Sequence, residues 1–342
     1  MNGSEARAAD SLLALANRLT AGTGSGRARA LMRLAGGKNN RVYRVDTEAG
    51  LPLVLKLYFN DPGDGRDRLA AEWNFLERAW QAGLRAIPQP LAKDRQAQAG
   101  LYSFVAGRKL DAGEIEARHI DVAADFVLAI NAGRRADLDA ASDACFSISD
   151  HLELVERRLL RLAALDPQAP HAAEAQRLVF ATLRPAWDSV RSQAVREALA
   201  LGLDLDRRLR EAECCLSPSD FGFHNALVAD DGRLVFLDFE YAGRDDPAKL
   251  VVDFLCQPQV PVPPSLRERF VTRLAALPLD DAAQARCHIL LDAARIKWAC
   301  ILLNDFLPVG AARRAFAETS EREARCAAQL DKANTMLAGI RL

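Results

Sequence analysis

Ser219-Asp220-Phe221-Gly222-Phe223-His224-Asn225, followed after a short connection by Leu234-Val235-Phe236-Leu237-Asp238-Phe239-Glu240, is the stretch on which this chain is read. It lies inside an island, Cys214 to Phe239, that reads as strand, loop and hairpin in a region otherwise patterned as helix. An aspartate is followed at fixed spacing by an asparagine, D-x-x-x-x-N, and an apolar strand then delivers a second aspartate before Phe239. Alone, such a spacing arises by chance in many chains. Its weight comes from what stands around it.

Outward toward the C-terminus the pattern is helical, with stretches at about 115–135, 147–165, 171–200, 264–276, 281–304 and 311–337. Toward the N-terminus the texture changes. A short amphipathic helix at about 8–19 and a Gly/Ser linker precede strand-like runs, ARALMRLAGG, NRVYRVD and LPLVLKLYF, two of them joined by the hairpin signal Thr47-Glu48-Ala49-Gly50. A helix at about 66–82 follows, then strands near 89–93 and 100–105. The expectation is an α+β, two-lobed molecule: residues 1–106 an antiparallel sheet plus one helix, and residues 107–342 a mostly helical lobe holding the small hairpin.

Three features upstream bear on chemistry. In Leu53-Val54-Leu55-Lys56-Leu57-Tyr58-Phe59, period-2 geometry puts Lys56 with Val54 and Tyr58. A cation there either reaches solvent from an edge strand or meets an anion. On the next helix Leu69, Trp73, Leu76 and Trp80 form one apolar stripe, and Glu72 lies beside it, aimed at the sheet or paired at the rim with Arg68. Gly36-Gly37-Lys38-Asn39-Asn40 joins two strands; it is a plain turn or a backbone surface open to a ligand, and it matches no phosphate-loop signature.

The order of these parts resembles that of kinases: glycine loop, strand Lys, helix Glu, lobe crossing, D-x-x-x-x-N, then D-F after an apolar strand. More narrowly, the segments resemble the aminoglycoside phosphotransferase/choline kinase family of small-molecule kinases, closely over about 30–110 and 210–258. GGKNNRVYRV resembles its nucleotide loop, LVLKLY its phosphate-binding strand, LAAEWNFL its Glu helix and LYSFVAGRKL its hinge. The resemblance implies a protein-kinase-like fold with ATP and Mg²⁺ as cofactors. It implies Asp220 as catalytic base, Asn225 and Asp238 as metal ligands, and Lys56 and Glu72 as a phosphate clamp. It further implies Gly36, Gly37, Asn39, Asn40, Ser103 and Val105 as nucleotide contacts. Phe239-Glu240-Tyr241-Ala242-Gly243, with Asp246-Pro247 and Asp253, resembles choline and ethanolamine kinases more than antibiotic kinases. One departure stands out: where the family has a loop histidine two residues before the aspartate, this chain has Pro218.

The acceptor is expected to be a small molecule bearing a hydroxyl: an amino alcohol, an amino sugar or a sugar. Asp245, Asp246 and Asp253 read as an acidic rim for a cation, with Glu240 beside them and Tyr241, Phe254 or Trp298 as π-faces. The same residues also read as structure, since Arg295, Lys297, Trp298 and Leu302 fit an amphipathic helix and Asp246 before Pro247 fits a helix cap. A silent, nucleotide-binding pseudokinase acting through a protein partner is the alternative, with Pro218 as its main support. A protein kinase is disfavoured because no D-F-G and A-P-E pair bounds an activation segment.

Composition narrows the rest. The 342 residues carry 45 Lys+Arg against 46 Asp+Glu, a net charge of -1, which argues against nucleic acid as a main partner. Seven cysteines without a C-x-x-C pair resemble neither a disulfide framework nor a zinc site, and read as reduced thiols of a cytoplasmic protein. The N-terminus lacks a signal-like pattern, and the apolar segment Ile289–Leu307 is too charged to span a membrane. The oligomeric state stays open.

Overall fold

The computed structural model describes residues 3–34, 40–60, 65–133, 139–277, 279–308 and 322–340. They fall into two compact units; residues 227–240 cluster with Met1–Arg108, while Lys109–Ala226 and Tyr241 onward form most of the second.

The first unit is a five-stranded antiparallel sheet in the order β1-β2-β3-β5-β4. Its strands are β1 (Ala28–Leu34), β2 (Arg41–Thr47), β3 (Leu53–Leu57), β4 (Pro90–Asp94) and β5 (Ala99–Ser103). Leu15, Ala16 and Leu19 of α1 (Gly3–Thr20) pack with Val45, Leu53, Leu55 and Leu101 of the sheet. The sequence reading expects one helix on this sheet; α1 is a second, because its apolar stripe needs an apolar surface to cover it. The expected helix, α2 (Arg68–Gln81), starts where the Asp67 carboxylate accepts from the Ala70 N–H at 2.9 Å, and it buries Leu69, Glu72, Trp73, Phe75 and Leu76. Strands β6 (Gly107–Lys109), β8 (Ala226–Ala229) and β9 (Leu234–Phe236) make a three-stranded sheet. The Phe236 N–H donates to the Ala86 carbonyl at 2.9 Å, and Phe239 stacks on Phe75 with centroids 4.4 Å apart. Those contacts hold the Asp238 segment to α2 and the turn after it.

The second unit is helical: α3 (Ala117–Ile130), α4 (Ile148–Arg161), α5 (Ala172–Arg177), α6 (Arg184–Ala200), α7 (Pro247–Cys256), α8 (Arg267–Arg273), α9 (Asp281–Leu302) and α10 (Arg322–Ala338). Its core gathers Trp187, Leu183, Ile289, Leu303 and Phe306. The stretch expected as one helix over 171–200 is continuous in path but opens into a π turn at Leu178–Leu183, where the Arg184 N–H reaches back to the Val179 carbonyl. Pro185 explains it, because a proline lacks the N–H an α-helix requires and crowds the preceding turn. A two-stranded sheet pairs β7 (Cys215–Ser217) with β10 (Gly243–Asp245). The sequence does not announce β10; three residues are too few for alternation to register. All seven cysteines are free, and among the described residues no helix is long and apolar enough to cross a membrane.

Candidate active site

In the first unit, β3 and α2 bring Lys56 and Glu72 together. The Lys56 Nζ lies 2.6 Å from Glu72 Oε2 and 2.6 Å from Asp238 Oδ1. Lys56 therefore meets anions and does not reach solvent; it is 8% exposed. Burial works against its charge, but the carboxylates of Asp238, Glu72 and Glu240 outweigh burial and hold the ammonium well above its ordinary range. Burial raises the Glu72 carboxyl, an effect that the bonds from Lys56 and Tyr58 offset only in part. Glu72 is further fixed by the Tyr58 hydroxyl, which donates to Oε2 at 2.8 Å and lies 2.7 Å from the Tyr102 hydroxyl. Gly100, opposite Lys56 on β5, makes room for this chain: a Cβ there would stand 2.3 Å from the Tyr102 Oη. Arg68 does not pair with Glu72; it donates to the Phe59 carbonyl at 3.1 Å.

Glu240 belongs to the same unit. It is 1% exposed, accepts from the Asn40 Nδ2 at 2.6 Å and stands 4.0 Å from the Arg68 Nε. Asn40 also accepts from the Phe59 N–H at 3.1 Å, so it ties the chain after the glycine run to Glu240 and to the end of β3. Both residues are thus held inside the protein. Gly36, Gly37 and Asn39 lie outside the described residues. In the hinge, Ser103 is committed to Gln89, donating its N–H at 3.0 Å and accepting on Oγ at 2.8 Å. Ser103 and Val105 border a cavity of about 460 Å³, with Trp80, Arg85, Asp231 and Val235 among its other walls.

In the second unit the Asp220 loop hangs from aromatic anchors. Phe221 stacks between Phe126 and Phe254, Phe223 meets Phe254 edge-on at 5.5 Å, and Phe254 stacks on Phe270. The alternation of Phe221 and Phe223 with polar neighbours leaves Asp220 with a third of its side chain exposed. Asn225 donates its Nδ2 to the Asp220 carbonyl at 2.9 Å, and the same nitrogen is 3.4 Å from Oδ2. Its amide oxygen is thereby turned away from Asp220. The His224 Nε2 stands 3.1 Å from Asp220 Oδ1. Asn131 braces the strand leading into the loop: its amide bonds both the N–H and the carbonyl of Leu216, at 2.8 and 3.0 Å. Nothing in the sequence marks Asn131, since its partner is 85 residues away.

The acidic rim does not form. Asp246 and Asp253 are 0% and 5% exposed because each is spent on buried cations. Asp246 caps α7, accepts from the Arg286 Nε and Nη2 at 3.0 Å each, and stands 3.1 Å from the His151 Nε2. Asp253 pairs with Lys297 and, at 3.4 Å, with Lys249, which also bonds Asp245 at 2.8 Å. Trp298 packs with Val252, Cys256 and Ala294, and Lys297 lies over its ring. Tyr241 is half-buried, and its carbonyl accepts from the Ser142 N–H at 3.1 Å. A helix cap and an amphipathic helix, the structural alternative that the sequence offers, describe Asp246 and Trp298 as they stand.

Among the described residues no cluster of three or more His, Cys, Asp or Glu side chains forms a self-sufficient metal cage. What is present suits a hard cation that brings its own ligands. Asp238 has only Oδ1 committed to Lys56 and keeps 36% of its side chain exposed, and Asn225 offers an amide oxygen. Mg²⁺ is commonly held in this way, by one or two protein oxygens together with phosphates and water. Each donor, taken by itself, is of the kind such a cation takes.

Comparison with known proteins follows the same line. The choline kinase LicA from Streptococcus pneumoniae has a TM-score of 0.59 at 15% identity, covering 96% of this chain and 100% of that one. Spectinomycin phosphotransferase in complex with ADP and spectinomycin has a TM-score of 0.59 at 14% identity, covering 96% and 98%. An ethanolamine kinase of Plasmodium vivax has a TM-score of 0.55 at 12% identity, covering 89% and 82%. At such identities the likeness speaks for the protein-kinase-like fold. No curated protein matches the sequence. The model of the phosphotransferase enzyme family matches residues 30–290, and on that match over most of its length the chain belongs to this family and is a small-molecule phosphotransferase.

Proposed function

We propose that this protein transfers the γ-phosphoryl group of ATP, with Mg²⁺, to a hydroxyl of a small metabolite. The observation that carries the reading is the Lys56 ammonium, buried and aimed by two carboxylates at 2.6 Å. A cation so held is positioned to receive nucleotide phosphates without reorganising, which is how positioning lowers the barrier to phosphoryl transfer. Glu72 keeps the ammonium oriented, and the hinge segment around Val105 faces the base. Asp238 and Asn225 would hold Mg²⁺, which would supply positive charge to offset that of the phosphates. Asp220 accepts or orients the proton of the acceptor hydroxyl. Amino alcohols and amino sugars are the acceptors to try first, supported by the named activities of the similar structures.

Calorimetric titration of ATP with and without Mg²⁺, into wild type and the Asp238→Ala variant, tests the reading. We expect Mg²⁺-dependent binding that loses its metal dependence in the variant. Metal dependence that persists removes Asp238 from the metal site, and absence of ATP binding by folded protein overturns the proposal.

A further inference from the structure

We infer that His224 is a positioning residue that sets the direction of the Asp220 carboxylate. The inference rests on Asp220 acting on the acceptor hydroxyl, and its own support is geometric.

The His224 Nε2 lies 3.1 Å from Asp220 Oδ1. A carboxylate only accepts, so the hydrogen between them belongs to Nε2. The other ring nitrogen agrees: Nδ1 is buried without a hydrogen-bond partner among the described residues. A hydrogen there would be an unsatisfied buried donor, whereas a bare lone pair costs less. The surroundings select the ring tautomer with the hydrogen on Nε2, the one able to hold Asp220.

The ring has little freedom to do anything else. His224 is 6% exposed. Its carbonyl accepts from the Lys109 Nζ at 3.1 Å, and its neighbours Phe223 and Asn225 are fixed by Phe254 and by the Asp220 carbonyl. Gly222 supplies the seat: a Cβ on it would stand 2.8 Å from His224 Nδ1 and 3.1 Å from Cε1. A side chain at 222 would push the ring off its hydrogen bond. With His224 on Oδ1 and Asn225 near Oδ2, the plane of the carboxylate is set before any acceptor arrives. Small misplacements of a reacting group cost large factors in rate, so this role acts on turnover and not on nucleotide binding.

The test uses the full chain and single-turnover cleavage of MgATP with water as acceptor, in wild type and the His224→Leu, His224→Gln, Gly222→Ala and Asp220→Asn variants. Glutamine offers an amide N–H near the position of Nε2, and leucine offers none. We expect His224→Leu to be about 10- to 100-fold slower with the ATP dissociation constant within about twofold, Gly222→Ala to be slowed in the same sense, and His224→Gln to recover to within about fivefold of wild type. Equal losses in His224→Leu and His224→Gln would mean a packing role only and overturn the inference. A fast His224→Leu beside a slow Asp220→Asn overturns it while leaving Asp220 as base. A fast Asp220→Asn removes the base itself. Independently of turnover, histidine-ring nitrogen NMR should show His224 carrying an exchange-protected hydrogen on Nε2 that loses its protection in Asp220→Ala; a wild-type ring carrying its hydrogen on Nδ1 overturns the assignment.

Discussion

Asp238 sits at a φ of +68°, and Ser219, immediately before Asp220, at +64°. For residues other than glycine this region costs of order 1 kcal/mol and persists where the surroundings impose it. At Asp238 the Lys56 bond and the Phe75–Phe239 stack impose it; beside Asp220, the buried Phe221 and Phe223 do. Of the five non-glycine residues at positive φ among the described residues, one is Asp238 itself and one immediately precedes Asp220. If Asp220 takes the hydroxyl proton, Asp220→Asn should lower kcat by roughly 10²- to 10⁴-fold while ATP affinity stays within about twofold. Steady-state kinetics beside calorimetry decides it, and weakened ATP binding with unchanged kcat would reverse the assignment. At this scale the sequence was informative, because Lys56 and Glu72 are polar beside an apolar pattern, and Asp220 and Asn225 stand at a marked spacing within a recognisable order of parts.

The element that turns residues into a site is the trio of β3, α2 and β5. Each was legible: β3 from its apolar run, α2 from the stripe Leu69-Trp73-Leu76, and β5 as the strand-like run near 100–105. The Tyr102–Tyr58–Glu72 chain connecting them was not legible, because it depends on which residues the register sets side by side. Gly100 is the tightest point of that register. Gly100→Ala should cost about 1–3 kcal/mol through overpacking against Tyr102. It should also raise the KM for ATP, since Tyr58, which bonds Glu72, loses its Tyr102 partner and Glu72 then orients Lys56 less well. A calorimetric Tm lower by several degrees with a raised KM is expected; a raised KM alone would mean that the register tolerates the methyl.

At the scale of the molecule, the buried charges of the second unit govern stability against pH. Burial opposes the Asp246 charge, but His151 and Arg286 outweigh it and bring the carboxyl from 3.8 down to about 2. The unfolded chain therefore binds the proton more readily, and this stabilisation is complete above about pH 4 and lost as pH falls toward 2. Its size is about 2 kcal/mol at 1.36 kcal/mol per pH unit. His151 moves the other way: burial opposes its charge, yet Cys145 and Asp246 raise it from 6.5 to about 10, so its contribution is complete below about pH 6.5 and lost as pH rises toward 10. Urea unfolding should show a stability maximum between roughly pH 4 and 6.5 that Asp246→Asn flattens on the acid side; an unchanged acid limb in that variant would place the loss elsewhere. The succession of a strand-rich stretch by a helical one, the two acid-bearing loops, and Lys56 and Glu72 as separate polar residues beside apolar patterns were legible in the sequence itself, because periodicity and marked polar residues are local signals; that Lys56 meets Glu72 and not solvent was decided by the fold. Only the tertiary structure decided that α1 packs on the sheet, that β10 completes β7, that Asp246 and Asp253 hold helices together instead of lining a rim, and that His224 faces Asp220. Each of those outcomes depends on which surfaces meet across long stretches of chain, and pairing over such distances leaves no local pattern to read.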